Sequence, residues 1–157
     1  MISNVVEQLE ELLKSVPRQL RELSNEDLVN PRSTGKWSRL QILGHLCDSA
    51  VNNLGRFIQA QYQPEPLAIV SYNQEVWVSS QHYGETPIDE VLTLWLSLNR
   101  SIVRVISSLP GDVLSQTCKL SSGDIVTLEW LIDDYLQHMK HHLQQIFPDF
   151  PRSEPID

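Results

Sequence analysis

The feature that most constrains the fold is a segment near the C-terminus, residues 127–147, that contains no glycine or proline. Apolar and aromatic residues recur in it at intervals of three and four, which places them on one face of an α-helix. The stripe consists of Leu131, Tyr135, His138, His142 and Ile146. Because such a stripe packs against a core, the pattern predicts a helix capped by Thr127, with both histidines pointing inward.

The two histidines of this stripe have the spacing of a metal site. His138 and His142 are four residues apart, so on a helix they lie about 40° apart around the axis and about 6 Å apart along it. Two imidazoles in this arrangement can bind one metal ion. A catalytic site usually adds a third protein ligand and keeps a position open for water or substrate. The segment therefore predicts part of a metal site, which another segment must complete.

Three earlier segments also have the period of amphipathic helices. They cover residues 2–23, 39–57 and 87–109, and their predicted N-caps are Ser3, Ser38 and Thr86. Ser38 is followed by Gln41 three residues later, the pattern of a capping box. A shorter helix is predicted within residues 71–83, and residues 112–126 form either a small hairpin or an irregular loop.

Four long helices and one short helix predict an all-α protein with the architecture of a four-helix bundle. We expect residues 1–150 to form this bundle as a single domain, and residues 151–157 to form a non-helical tail with two prolines. The connection of roughly 25 residues before the third long helix permits a crossover between helices. Bundles of this kind build metal sites from side chains on facing helices.

A polar line along the second long helix offers a third ligand. His45 lies beside the apolar face, and steps of three or four residues from it reach Ser49, Asn52 and Arg56. Such a line is either the solvated edge of the helix or the wall of a polar cavity that contains His45 as a metal ligand. The periodicity alone leaves both interpretations open.

Composition excludes several classes of function. The net charge is −8 and the basic residues are scattered singly, so a nucleic-acid surface is not expected. No apolar run approaches the roughly 20 residues that span a bilayer, and the N-terminus lacks the pattern of a signal peptide. The two cysteines, Cys47 and Cys118, have no CxxC spacing. These observations predict a cytoplasmic protein that contacts neither membranes nor nucleic acids.

Four short motifs, taken in order, resemble those of the DinB-like superfamily, and most closely its YfiT-like group of metal-dependent hydrolases. The motifs are Gly35–Ser38, Leu43–Ser49, Gly55–Phe57 and His138–Ile146. The resemblance implies a four-helix bundle with one divalent metal ion, often nickel or zinc, held by three histidines. In this chain those ligands would be His45, His138 and His142. Iron is a third candidate metal, since a site with further open positions suits it as well as nickel.

The same resemblance implies an activity on small molecules and a homodimer. Many such proteins are named hydrolases, while others transfer or use a low-molecular-weight thiol such as bacillithiol or mycothiol. This chain departs from the pattern at Ala50, where relatives often have a glutamate, and at residues 119–123, which lack a histidine common in relatives. Neither departure removes an expected ligand, but both affect groups expected near the metal.

Several further residues are candidates for roles beside the metal. Asp48, Asp134 and His141 are candidate acid–base groups. For Asp48 and Asp134, orienting a ligand imidazole and plain solvation are equally good interpretations, whereas His141 fits better as a surface residue or one that contacts a ligand. Arg56 is a candidate substrate-binding residue because a guanidinium group pairs with anions, although a structural salt bridge is the commoner role of an arginine. Asn52, on the same polar line, is the second candidate. The function expected is that of an enzyme whose metal ion activates water or a thiol. The alternative is a non-catalytic bundle that binds a metal or small ligand, or a stress-linked interaction module.

Overall fold

The computed structural model describes residues 2–150, and four long helices make up most of them. The helices are α1 (Ile2–Arg21), α2 (Asn25–Val29), α3 (Arg39–Gln59), α4 (Gln74–Ser80), α5 (Ile88–Ser107) and α6 (Leu128–Ile146). Three short strands lie between them: β1 (Leu67–Ala68), β2 (Thr117–Lys119) and β3 (Ile125–Thr127). The tail predicted at 151–157 lies outside the described residues. Within residues 2–150, no helix has the length and apolarity needed to cross a membrane.

The four long helices form a bundle with a crossover, as the sequence predicts. Both α1 and α3 pack against α5 and α6. The order around the bundle is therefore α1, α5, α3, α6, so the first two long helices in the chain occupy diagonal positions. The 28 residues between α3 and α5, which contain β1 and α4, form the crossover connection. This order places α3 and α6 side by side along one seam.

The bundle core follows from the helical stripes. On α1 the buried residues are Val5, Leu9, Leu12, Val16 and Leu20, spaced by three or four. Each large aliphatic side chain buried in this way contributes about 1.5–3 kcal/mol. The stripes of α3, α5 and α6 meet the same core, and the indole of Trp95 on α5 is fully buried there. The core therefore fixes the rotation of α3 and α6 about their own axes.

Two of the predicted N-caps of the long helices are wrong. Ser3 lies inside α1, which is already helical at Ile2, so it cannot be the N-cap, the residue that precedes the helix. Thr86 also fails as a cap, because its hydroxyl donates to the carbonyl of His82 and α5 begins only at Ile88. The caps predicted at Ser38 and Thr127 are confirmed, with side chains that accept from the backbone N–H three residues later.

Side-chain caps also determine where the two short helices begin. The sequence pattern gave no helix at α2, yet Ser24 and Asp27 form a complete capping box at its start. The predicted short helix over residues 71–83 is confirmed only as α4, because the Asn73 side chain accepts from Val76 N–H and starts the helix there.

The two long connections of the bundle pair with each other. Strands β2 and β3 form an antiparallel hairpin, with Cys118 opposite Val126, so the hairpin is the correct choice of the two predicted for this region. Strand β1, which the sequence did not predict, adds to β2 in parallel. Beyond the strands, the hydroxyls of Ser71 and Ser121 are 2.9 Å apart. These contacts form a roof over the seam between α3 and α6.

Candidate metal centre

Three histidines converge in the seam between α3 and α6. His45 comes from α3, and His138 and His142 come from successive turns of α6. One ligand nitrogen from each ring lies within 4.8 Å of those of the other two. The imidazole of His45 is fully buried, whereas the other two rings are half-buried. Among the described residues, this is the group of metal-ligating side chains that comes together in this way.

The spacing of the nitrogen atoms fits a transition-metal site. The Nε2 atoms of His45 and His138 are 3.3 Å apart. Two nitrogen atoms bound to one tetrahedral zinc ion at about 2.0–2.1 Å would be separated by about 3.3 Å. The three rings meet edge to face, with centroids 4.6–5.2 Å apart. The residues therefore fit a divalent ion held by three imidazoles.

The surroundings keep these imidazoles neutral, which a metal ligand requires. Burial, with the neighbouring histidines, lowers the pKa of His45 to about 3. The same causes lower the pKa of His138 to about 4. Burial also lowers the pKa of His142, although its hydrogen bond to Gln145 opposes this shift. At neutral pH the rings therefore keep their nitrogen lone pairs.

Gln145 determines which nitrogen of His142 faces the cluster. The Nδ1 atom of His142 is 2.9 Å from the side-chain oxygen of Gln145, one turn further along α6. Since an amide oxygen only accepts, Nδ1 carries the proton and donates. The lone pair of His142 then lies on Nε2. The Nε2 atoms of His45 and His138 also face each other.

An indole ring covers the buried histidine. The rings of Trp37 and His45 are 5.0 Å apart at an angle of 37°. The indole N–H of Trp37 donates to the carboxylate of Glu75 on α4, which ties the start of α3 to the crossover connection. The Nδ1 atom of His45 is buried without a hydrogen-bond partner in the described part of the chain. The other ring nitrogen of His45, Nε2, faces His138.

A cleft of about 330 Å³ lies along the α3–α6 seam, and of the three histidines His138 lines it. Its floor consists of residues from the two helices, and its roof consists of residues 69–74 and 120–122. The polar groups that line it are Ser49, Asn53, Arg56, Ser71, Tyr72, Gln74, Ser121, Ser122, Asp134 and His138. The volume lies at the small end of the range for ligand sites, which fits a small molecule.

A model of the DinB superfamily matches residues 8–146. The chain belongs to the DinB superfamily. Curated relatives from Bacillus mycoides, Bacillus cereus and Bacillus anthracis are each 27% identical over 146 residues, which cover 93% of this chain and 83% of the relative. All three carry the name "putative metal-dependent hydrolase".

Two solved structures share the fold of this DinB protein. YfiT from Bacillus subtilis, described as "a probable metal-dependent hydrolase with an unusual four-helix bundle topology", superposes with a TM-score of 0.84 at 22% identity. The match covers 94% of this chain and 84% of YfiT. A mycothiol-dependent maleylpyruvate isomerase superposes with a TM-score of 0.70 at 14% identity, over 96% of this chain and 65% of the isomerase. At these identities the likenesses establish the fold.

Two residues of the polar line predicted on α3 of the DinB bundle face the cleft. Ser49 and Arg56 line it, and the guanidinium Nη2 of Arg56 donates to the Val70 carbonyl at 2.8 Å. The asparagine that lines the cleft is Asn53, whereas the Asn52 amide donates to the carbonyl of Asp48 one turn back. A substrate-binding role for Asn52 therefore stays a prediction.

The three candidate acid–base residues occupy different surroundings. Asp134 lines the cleft one turn before His138. His141 is exposed and lines a separate hollow with Arg32, although its ring contacts that of His142 at 5.1 Å. Asp48 is buried beside the seam and does not belong to the described lining of the cleft. Acid–base roles for all three remain predictions.

The carboxylate of Asp48 is held by the crossover connection. Its Oδ1 atom accepts from the hydroxyl of Tyr83 at 2.8 Å and from the side-chain amide of Gln81. The ring of Tyr83 packs so closely over Gly44 that a Cβ atom there would be 2.2 Å from its Cδ2 atom. The glycine beside His45 therefore has a packing role that the sequence motif did not explain.

Proposed function

We propose that this chain is a metal-dependent enzyme that acts on a small molecule, with His45, His138 and His142 as its metal ligands. The observation that carries the proposal is the convergence of three neutral imidazoles beside a polar cleft that His138 lines. The names of the curated DinB relatives support metal dependence. The Nε2 atoms of His45 and His138 lie 3.3 Å apart, and a bound ion would give the lone pairs of both a partner.

A divalent ion held by three neutral ligands keeps its full charge, so it supplies Lewis acidity that activates water or a thiol and polarises an electrophile. We propose nickel or zinc, with iron as the third candidate, because imidazole nitrogen suits all three. Other side chains of the protein position the ligands and the substrate. Gln145 orients His142, Trp37 covers His45, and Arg56 offers a cation to an anionic part of the substrate.

The hydrolytic version of this function is supported by the names of the Bacillus relatives. The thiol-dependent version is supported by the fold shared with the mycothiol-dependent isomerase, a likeness that bears on fold alone. We therefore propose hydrolysis as the first activity to test and thiol transfer as the second. A non-catalytic metal-binding bundle is the alternative that these screens address.

The first experiment is metal analysis by mass spectrometry on tag-free wild-type protein and on His45→Ala. We expect about one divalent ion per chain in the wild type and its loss in the variant. His82→Asn is the matched control, because His82 is exposed and Asn tolerates its left-handed backbone conformation. Wild-type protein that binds no ion after incubation with nickel, zinc and iron would refute the proposal.

The second experiment screens ester and amide hydrolysis, and then thiol transfer, with wild-type and His138→Ala proteins. Turnover that rises with metal occupancy and disappears in the variant would exclude the non-catalytic alternative. Turnover retained by the metal-free variant would refute a mechanism that depends on these ligands.

A further inference from the structure

The cleft beside the histidines contains one cationic and one anionic side chain. Arg56 from α3 and Asp134 from α6 both line it, and each influences the pKa of the other electrostatically. The rest of the lining combines hydroxyl groups with the apolar side chains of Ile69, Leu120 and Leu131. A site with this composition offers separate contacts to a positive group, a negative group and a short apolar body.

The guanidinium of Arg56 is prepared to bind an anion. It is half-buried, and its Nη2–Val70 hydrogen bond uses one of its five N–H donors. The ring of Tyr72 lies 5.8 Å from its central carbon and restricts its position. Burial lowers the pKa of Arg56, so an incoming anion would offset part of the cost of removing this charge from water.

Asp134 lines the same cleft as Arg56 and His138. It precedes His138 by one turn of α6, so along the helix axis it is about 6 Å from that ligand. Asp134 is exposed, like its neighbour Asp133, but partial desolvation and the charge of Asp133 both raise the pKa of its carboxyl. A cation bound beside it would stabilise the ionised carboxylate against both effects.

The helix geometry sets the dimensions of a ligand. His45 and Arg56 are eleven residues apart on α3, which corresponds to about 16 Å along the axis and to nearly the same direction around it. An anionic group at Arg56 is therefore at the end of the cleft remote from His45. A ligand that extends from there toward the histidines passes Asp134, where its cationic group would lie.

We infer that the cleft takes a small zwitterionic substrate of the amino-carboxylate type, with its anionic group at Arg56 and its ammonium group at Asp134. This inference rests on the proposed function in treating the cleft as the substrate site. It deepens that proposal by naming the charges that the substrate must carry.

The test compares three probes that share one apolar body and differ in charge. L-Leucine is a zwitterion, N-acetyl-L-leucine carries only the carboxylate, and L-leucinamide carries only the ammonium group. Binding is followed by NMR titration of the isotope-labelled full chain, stripped of metal so that the amino group cannot ligate an ion. We expect leucine to bind roughly tenfold more tightly than either singly charged probe. Equal binding of the three probes, or no binding of leucine, would overturn the inference.

Two variants assign the charges to their residues. Arg56→Gln should weaken N-acetyl-L-leucine roughly tenfold and leave leucinamide unchanged or tighter, with Arg104→Gln, an exposed residue on α5, as the control. Asp134→Asn should weaken only leucinamide and leucine, with the exposed neighbour Asp133→Asn as its control. A variant that weakens all three probes equally would indicate a general structural role and would overturn the assignment.

A failure of the zwitterion inference can be distinguished from a failure of the proposed function. Loss of charge discrimination in a protein that still binds one ion through its histidines would refute the zwitterion inference and leave the proposed function standing. Charge discrimination in a wild-type protein that binds no metal would refute the proposed function instead. The wild-type comparison of the three probes needs no variant, so it holds even if Arg56→Gln fails to fold.

Discussion

Replacing Gly44 by alanine should destabilise the protein, because the new methyl group would lie 2.2 Å from the Cδ2 atom of Tyr83. Real side-chain contacts do not approach this closely, so the ring or the helix must shift. The ring has little freedom, since Tyr83 is buried and its hydroxyl donates to Asp48 at 2.8 Å. The ring must therefore move, so the substitution overpacks the core and also breaks the buried Tyr83–Asp48 hydrogen bond.

The change in the free energy of unfolding follows from one stabilising and two destabilising contributions. Alanine favours the helix by about 1 kcal/mol relative to glycine. Overpacking costs about 1–3 kcal/mol, and a buried carboxylate that loses its Tyr83 donor costs about 1–3 kcal/mol. The net expectation for Gly44→Ala is a free energy of unfolding lower by about 3 kcal/mol. For a chain of this length the melting temperature should then fall by roughly 6–12 °C.

Gly55 provides a matched control on the same helix. Its nearest contact to an added Cβ atom is the flexible end of Gln59 at 3.8 Å, an ordinary van der Waals distance. Gly55→Ala should therefore raise stability by about 1 kcal/mol through helix propensity alone. Thermal unfolding of both metal-free variants, followed by circular dichroism, measures the difference. A melting temperature for Gly44→Ala at or above that of the wild type would refute the close packing of Tyr83 on α3.

Three further predictions concern Gln145, the carboxyl group of Asp48 and the two cysteine thiols. Gln145→Ala should bind zinc roughly tenfold to a hundredfold more weakly, because His142 loses the acceptor that fixes its tautomer, and unchanged affinity in a chelator competition would contradict this role. Burial raises the pKa of the Asp48 carboxyl, so its contribution to stability is present at low pH and is lost as pH rises through the folded-state pKa. The melting temperature of Asp48→Asn minus that of the wild type should therefore increase from acidic to neutral pH, and a constant difference would contradict it. Burial also raises the pKa of both cysteine thiols, so neither should react with Ellman's reagent before the protein unfolds, and rapid reaction of the folded chain would disagree with their burial.

The helices and the histidine cluster could be predicted because their determinants are local and periodic. The stripe on α6 fixes a face, and the core fixes the rotation of that face, so His138 and His142 had to point into the seam. His45 was ambiguous from periodicity alone, and it entered the predicted cluster through the resemblance of its motif. The capping residues Ser38 and Thr127 could also be recognised, because a capping box and an N-cap involve neighbours only three residues apart.

The roof of the cleft could not be predicted, because its contacts join distant segments without any period. Ser71 and Ser121 are fifty residues apart in the chain, and nothing in either segment indicates its partner. Strand β1 has only two residues, too few for an alternating pattern. The sequence pointed to Asn52, whereas Asn53 lines the cleft, and this difference has another cause. One residue on a helix corresponds to about 100°, so a side chain at the edge of a stripe is assigned only approximately.

The separation between floor and roof has a consequence for how such a protein diversifies. All three histidines belong to the bundle helices, whereas the roof belongs to two connections. These are joined by β1 and β2, by the Ser71–Ser121 pair, and by Glu65, whose carboxylate accepts from Thr117. A surface connection that doubles in length costs only about 0.6 kcal/mol of closure entropy. Insertions in these connections therefore reshape the substrate cleft at little cost and leave the histidines in place. Under the proposed function, selection can then change the substrate while the metal site stays the same.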